Sequence, residues 1–197
     1  MFRDYPLLGA AALQPGAGYA QPTQAVPDIV TMEDPALLVL TDFQRVTAII
    51  TLPGDAADEA HRRMIQRGVR LLLVVNQDRR VVGVINASDI LGEKPMQVVA
   101  QRGIRREEVL VRDIMTPQDR LEVLKVSDLH AAKVGHVVAT LERWGRQHAL
   151  AVDVDSTGRQ TVRGVFSTTQ IARQLGVAIQ TGEIARTFAD IEALLAR

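Results

Sequence analysis

An eight-residue phrase that occurs twice constrains the fold of this chain more than any other feature of its sequence. Residues 83–90 read GVINASDI and residues 164–171 read GVFSTTQI, so the copies are offset by 81 residues. Each copy has a glycine, two apolar residues, a small polar residue and, three positions later, a side chain that can accept a hydrogen bond. A repeat of this length predicts two similar structural units that pack together.

The residues around both copies predict the same order of elements, because apolar runs and polar turns recur at matching places. The predicted strands are 49–53, 68–75 and 81–85 in the first unit and 121–126, 148–152 and 162–166 in the second. The predicted helices are 55–67 and 129–144, ended by Gly68 and Gly145 as left-handed helix stops. In each unit the last two strands form a hairpin that leads into a further helix at the repeated phrase. Neither unit is large enough to be stable comfortably alone, so we expect one shared core.

The chain divides into five predicted segments. These are an irregular N-terminal arm over 1–33, a first unit over 34–91, a connector over 92–108, a second unit over 109–176 and a C-terminal helix over 177–197. Prolines and glycines interrupt the arm, which favours irregular structure over a signal peptide. The terminal helix has its apolar residues on one face, at Ile184, Phe188, Ile191 and Leu195.

Composition excludes several classes of function. The chain has 23 basic and 23 acidic residues, so its net charge gives no argument for nucleic-acid binding. It has no cysteine, which excludes disulfides, thiolate metal sites and a cysteine nucleophile. No apolar run approaches the roughly 20 residues that span a bilayer, and we expect a cytoplasmic protein with no membrane association. The four histidines lack metal-site spacing, and no phosphate-loop, dinucleotide or nucleophile-elbow motif occurs, so we predict that the chain is not an enzyme.

The double motif and its surroundings resemble the cystathionine-β-synthase (CBS) domain family, present as a tandem pair, or Bateman module. The resemblance covers roughly residues 34–176 and is carried by both phrases, by 68–75 and 148–152, and by 111–117. It implies an α+β (α/β) fold of two β-α-β-β-α units packed about a pseudo-twofold axis, with two equivalent clefts. It also implies a stand-alone regulatory module that homodimerises and needs no cofactor. AMP, ADP, ATP or S-adenosylmethionine would be its regulatory ligand, and the regulated partner is unknown.

The family pattern places Ser or Thr three positions before Asp, which supplies a hydroxyl and a carboxylate together. A carboxylate accepts hydrogen bonds from both ribose hydroxyls, and charge-assisted bonds of this kind are strong. The first copy keeps the carboxylate as Asp89 but has Asn86 in the hydroxyl position. The second copy keeps the hydroxyl as Ser167 but has the neutral Gln170 in place of Asp. The resemblance therefore favours the first cleft as the ligand site.

The predicted ligand-binding residues fall into two sets. The first cleft is predicted to contain Asp89, Asn86, Ser88, Thr51, Ile50, Arg70 and Leu72. The second cleft is predicted to contain Ser167, Thr168, Gln170, His148 and Val126.

Helix capping is the alternative interpretation of both motifs. Ser167 and Gln170 have the spacing of a capping box, and Asn86 with Asp89 suits an N-cap followed by a first-turn acid. We favour ligand binding for the first copy and capping alone for the second. If both motifs are caps, the protein is instead a structural module that acts through dimerisation and protein–protein contacts.

Overall fold

The computed structural model describes residues 27–177. The predicted C-terminal helix therefore lies outside the described residues, apart from Val177, and so does the predicted arm before Pro27. Within 27–177, no helix is long and apolar enough to cross a membrane. No group of three or more histidine, aspartate or glutamate residues in that range is arranged to hold a metal ion.

Two four-stranded sheets form the framework of the described chain. Its strands are β1 (Thr41–Asp42), β2 (Ile50–Thr51), β3 (Leu71–Val75), β4 (Val81–Asn86), β5 (Thr116–Pro117), β6 (Val123–Lys125), β7 (His148–Val154) and β8 (Gln160–Ser167). The first sheet has the order β2-β3-β4-β5 and the second has the order β1-β8-β7-β6. In both sheets a hairpin (β3–β4 or β7–β8) lies at the centre, with a parallel strand on one side and a two-residue antiparallel strand on the other. The predicted mixed fold of two similar units is therefore confirmed.

Seven α-helices accompany these sheets over residues 27–177. They are α1 (Ala57–Arg67), α2 (Ala87–Leu91), α3 (Lys94–Arg102), α4 (Val111–Ile114), α5 (Val126–Leu129), α6 (Val134–Trp144) and α7 (Thr168–Gln174). Short 3₁₀ turns cover Ala36–Val39, Arg106–Glu108 and Gln118–Arg120. Helices α1 and α6 end at Gly68 and Gly145, with φ of 63° and 61°, which confirms both predicted left-handed stops.

The long helix of the second unit begins later than predicted, at Val134 rather than at residue 129. The N–H groups of Val134 and Gly135 donate to the carbonyl oxygens of Asp34 and Met32, at 2.8 and 2.9 Å. The first turn of a helix leaves its N–H groups without partners inside the helix. Backbone from the segment before β1 supplies those partners here, so a contact remote in sequence fixes the start of α6.

Each unit gives its leading strand to the sheet of the other. Strand β1 lies near the start of the first unit but pairs with β8, whereas β5 lies near the start of the second unit but pairs with β4. The hydrophobic cores are exchanged in the same way, because residues next to each leading strand are buried in the core of the other unit. Val30, Ala36, Val39 and Leu40 are buried with α6, β7 and β8, while Val109, Val111 and Ile114 are buried with α1, β3 and β4. A third cluster joins Leu73, Val75 and Val84 of the first sheet to Leu150 of the second, which gives the two units a shared core.

The glycine that opens each repeated phrase lies where the exchanged strand crosses. A Cβ atom at Gly83 would lie 2.6 Å from the carbonyl oxygen of Thr116 in β5. A Cβ atom at Gly164 would collide in the same way with the carbonyl oxygen of Thr41 in β1. Both obstacles are backbone atoms held in a sheet, so a side chain at either position must push the exchanged strand away.

We expect Gly83→Ala and Gly164→Ala each to lower the free energy of unfolding by about 1–3 kcal/mol, as overpacking does in a filled core. Gly54→Ala is the matched control, since a Cβ there meets nothing within 4 Å and Gly54 has no positive φ. Urea denaturation of the three variants measures the effect. Equal stability of all three would contradict a steric role for the motif glycines.

Candidate ligand cavity between the units

A cavity of about 750 Å³ lies between the two units. Its walls come from the segment around β1, from the residues between α1 and β3, and from the ends of β7 and β8 together with α7. Small-molecule sites in proteins commonly have volumes of roughly 300–1,000 Å³. The cavity is therefore large enough for a ligand that touches both units at once.

The cavity is lined by both apolar and polar side chains. Its apolar side chains are Phe43, Val46, Ile49, Val69, Leu71, Leu73 and Val165. Its hydroxyl and amide side chains are Thr41, Thr47, Ser167, Thr169, Gln170 and Gln174. A flat base could pack on the first set while polar groups of the same ligand meet the second, which is the usual division of a small-molecule site.

The second copy of the motif lines this cavity and does not cap its helix. Ser167 is the N-cap residue of α7, yet its side chain makes no capping hydrogen bond. The Gln170 side chain does not reach back to residue 167; instead its Oε1 accepts a hydrogen bond from Thr41 Oγ1 at 3.0 Å. The capping-box interpretation of this copy is therefore wrong, and Ser167 and Gln170 both lie on the cavity wall.

The first copy is a closed capping box. Asn86 Oδ1 accepts from the backbone N–H of Asp89 at 3.0 Å, and Asp89 Oδ2 accepts from the backbone N–H of Asn86 at 2.9 Å. Lys94 Nζ donates to the other carboxylate oxygen of Asp89 and also to the carbonyl oxygen of Ile114. Asp89 is only 6% exposed. Both oxygens of the predicted ribose acceptor thus have partners within the protein.

The structure does not gather the predicted first-cleft residues around one cavity. Thr51 is buried and donates its hydroxyl to Asp55 Oδ2 at 2.7 Å, while Leu72 is fully buried in the first core. Ile50 packs between the two sheets, and the exposed Ser88 donates to Asn86 Oδ1. Arg70 alone of that set lines the cavity, and it does so beside the second motif.

The predicted second-cleft residues divide differently. Ser167, Gln170 and His148 line the cavity together. Thr168 is buried and donates its hydroxyl to the carbonyl oxygen of Gln147 at 2.7 Å, and Val126 is buried in the second core. Three of these five residues therefore share one cavity.

Sequence reasoning missed the wall built by the segment that contains β1. Phe43, Val46, Thr47 and Ile49 belong by position to the first unit, but they line the same cavity as the second motif. Thr41 and Gln170, which hydrogen-bond here, are 129 positions apart in the sequence. No local pattern predicts this contact. The one signal that could have indicated it is a short strand with a threonine, which occurs ahead of each repeat.

An ion pair fastens this wall to the second sheet. Asp42 at the end of β1 accepts from Arg163 Nε at 2.7 Å and from Arg163 Nη2 at 2.9 Å. The hydrogen bonds from Arg163 hold the pKa of the Asp42 carboxyl below its usual range, against the opposing effect of its burial. A bidentate pair fixes orientation as well as distance, so β1 and the cavity wall are held in register.

Three arginines, one aspartate (Asp28) and one histidine set the electrostatics of the cavity. Arg67, Arg70 and Arg173 line it, all three are exposed, and none forms an ion pair with a carboxylate in the described part of the chain. His148 is half-buried, and burial lowers its pKa from 6.5 to about 4, helped by the positive charge of Arg70. His148 is therefore neutral at pH 7, and the cavity carries a surplus of positive charge at its arginines.

Comparisons with known proteins agree with this architecture. The family model described as the CBS domain matches residues 42–95. An uncharacterized conserved protein from Pyrococcus horikoshii has a similar structure, with a TM-score of 0.54 and 22% sequence identity over 78% of this chain and 100% of that one. A CBS-domain protein of unknown function from Thermoplasma acidophilum has a TM-score of 0.50 and 18% identity over 80% of this chain and 77% of its own. At these identities the structures show the fold alone.

A CBS-domain containing protein from Agrobacterium tumefaciens is also similar, with a TM-score of 0.50 and 16% identity over 67% of this chain and 88% of that one. No curated protein matches the chain in sequence. The family match identifies residues 42–95 as similar to the CBS domain, and the two similar units have the fold of these structures. The family resemblance drawn from the repeated phrase is thus confirmed.

We expect His148 to make the protein less stable in acid. Its folded pKa of about 4 lies below the ordinary value of 6.5, so the unfolded chain takes up a proton first as the pH falls through that interval. The free energy of unfolding is highest above pH 6.5, where His148 is neutral in both states. It falls by about 2 kcal/mol by pH 4.5, where the unfolded chain is protonated at this histidine. Urea denaturation of wild type and His148→Gln at pH 7 and pH 4.5 measures it. A wild-type-to-variant difference that is the same at both pH values would contradict the assignment.

Proposed function

We propose that this protein is a regulatory module that binds an adenine nucleotide or adenosyl compound in the cavity between its units. The observation that carries the proposal is where the polar side chains of the second motif lie. Ser167 and Gln170 line a cavity of ligand size instead of capping α7. The same space is lined by apolar side chains that suit a base and by three arginines that suit an anion.

The position of the cavity supports regulation through a change of shape. Its walls include Arg70 and Leu71 from the first unit and Ser167 and Gln170 from the second. A ligand held by both sides favours the arrangement of the units in which all its contacts are made. It can shift the equilibrium only by the difference in its affinity for the two arrangements. A partner protein that contacts both units would detect this shift.

The geometry supports the cleft at Gln170 over the cleft at Asp89. The Asp89 carboxylate is buried, is part of a capping box and is paired with Lys94. A ligand that used Asp89 would first have to displace Lys94 and break the box. Ligand binding at Gln170 requires no such displacement, because its side chain accepts one hydrogen bond, from Thr41, and pairs with no charged group in the described chain.

A homodimer would cover an apolar helical face of the first unit. Ile65 on α1 and Leu91 on α2 are 67% and 63% exposed, and the two helices contact one another. Large apolar side chains exposed on neighbouring helices favour an interaction surface. We therefore propose that a second copy of the chain packs on this face.

Binding should depend on the second motif and not on the first. We expect calorimetric titration with AMP, ADP, ATP and S-adenosylmethionine to detect saturable binding of at least one compound. Arg70→Gln should weaken that binding about tenfold or more, as loss of a hydrogen bond to a charged group does, and Gln170→Ala should weaken it about fivefold, as loss of a neutral hydrogen bond to the ribose does.

Asp89→Ala is the matched control, because Asp89 and Gln170 occupy equivalent positions of the repeat. We expect it to lower the melting temperature, through loss of the capping box and the Lys94 pair, and to leave ligand affinity unchanged. If Asp89→Ala abolishes binding and Gln170→Ala does not, the ligand lies in the first cleft. No binding of any of the four compounds would favour the alternative of a ligand-free interaction module.

The dimer is tested by Ile65→Arg, which places a charge in the proposed interface. We expect light scattering after size-exclusion chromatography to give a dimer for wild type and a monomer for this variant. Gln66→Arg is the control on the same helix, since Gln66 is a polar exposed residue. A wild-type monomer, or an Ile65→Arg dimer, would rule out this face.

A further inference from the structure

We propose that the cavity selects an adenosine ligand whose ribose carries a phosphate ester at the 2′ or 3′ position, in preference to one with a free diol. This inference rests on the proposed function and makes its ligand more specific. It depends on the polarity of one position, Gln170, and on the charge of a second, Arg173.

The hydrogen-bonding polarity at position 170 is opposite to that of a carboxylate. The Oε1 atom of Gln170 accepts from Thr41 Oγ1, so the acceptor end of the amide is used within the protein. The Nε2 group, with its two N–H donors, has no hydrogen-bond partner among residues 27–177. A carboxylate here would accept from the two hydroxyls of a ribose, whereas this amide presents donors, which suit the oxygens of a phosphate.

The absence of charge at position 170 also favours a phosphate on the ribose. A carboxylate would repel a phosphate placed on the ribose, and glutamine removes that repulsion. In dinucleotide-binding folds the same exchange separates the two cofactors: an acid binds a free 2′-hydroxyl, and an arginine accommodates a 2′-phosphate. The loss of the acid in this chain is accompanied by such an arginine.

Arg173 is that arginine. It lies three residues after Gln170 in α7, so both side chains leave the same face of the helix. It lines the same cavity, is exposed, and forms no ion pair with a carboxylate in the described chain. A guanidinium group with no carboxylate partner can bind a phosphate through two parallel hydrogen bonds.

The remaining charges of the cavity leave room for a second anionic group. Arg67 and Arg70 come from the first unit, while Gln170 and Arg173 come from the second. Asp28 is the one carboxylate residue among the described residues that line the cavity. A nucleotide with phosphates on both sides of its ribose would use both pairs of residues, and adenosine 3′,5′-bisphosphate is the simplest probe of that kind.

The test uses the three isomers of adenosine monophosphate, which have the same base, composition and number of phosphates. We expect calorimetry to give affinities for 2′-AMP or 3′-AMP about tenfold higher than for 5′-AMP, the size of effect that one hydrogen-bonded charged contact supports. Adenosine 3′,5′-bisphosphate should bind more tightly than any of the three and more tightly than ADP. In Gln170→Asp the preference should reverse, with 5′-AMP the best of the isomers.

Arg173→Gln gives an independent measurement if Gln170→Asp does not fold. We expect it to remove the preference for 2′-AMP or 3′-AMP and to leave 5′-AMP affinity within about threefold of wild type, because only the ribose phosphate loses a partner. Arg143→Gln, an exposed arginine on α6 that does not line the cavity, is the matched control and should change none of these affinities.

The outcomes separate this inference from the proposed function. If wild type binds 5′-AMP as tightly as or more tightly than both isomers, the ribose-phosphate inference is wrong and the proposed nucleotide site stands. If Arg173→Gln lowers the affinity for the three isomers equally, Arg173 does not bind a phosphate on the ribose and the inference also fails. If no adenosine compound binds at all, both proposals fail together.

Discussion

The pairing of each leading strand with the sheet of the other unit is the interaction on which the rest of this structure depends. Strand β1 lies antiparallel to β8 and is fastened by the bidentate pair of Asp42 with Arg163. Neither sheet has its full set of strands without a segment that belongs, by sequence, to the opposite unit. The close approach is possible because the repeated phrase opens on a glycine, which leaves space for the carbonyl oxygen of the exchanged strand. The exchange also brings Phe43 and Thr47 to the second motif, so the same contact that joins the units builds the wall of the cavity.

The two copies of the motif have different structures because of residues outside the motif. Lys94 follows Asp89 by five positions and neutralises its buried carboxylate, while the equivalent position of the second copy holds the apolar Leu175. Asn86 has a short side chain that reaches the backbone N–H of Asp89, which closes the box. The longer side chain of Gln170 extends to Thr41 on the exchanged strand, and its helix is left without a side-chain cap. One copy thus stabilises its own helix, and the other leaves its polar side chains facing a cavity.

The sequence predicts the hairpins and the helix stops at Gly68 and Gly145, because each depends on residues that are close together in the chain. It does not predict the start of α6 or the composition of the cavity, since both depend on contacts with the segment around the start of the first unit, which is remote in sequence. It also could not decide between a cap and a ligand site. Small hydroxyl and amide side chains three residues before an acceptor suit both purposes, and the choice depends on whether a partner such as Lys94 lies nearby in space. An interpretation based on the sequence uses the residues of each motif itself, whereas the conformation of each motif depends on the residues that lie near it in space.

Charge shows the same dependence on the fold. The chain has equal numbers of acidic and basic residues, so its net charge gives no reason to expect an anionic ligand. The fold nevertheless gathers Arg67, Arg70 and Arg173 around one cavity, while many other arginines are paired with carboxylates elsewhere, as Arg163 is with Asp42. The loss of an acid at Gln170 adds to this local surplus, and the low pKa of His148 keeps that side chain from adding a further charge at neutral pH. Because electrostatic selectivity depends on the charges within a few ångströms of a ligand, an anionic ligand is compatible with a protein whose net charge is zero.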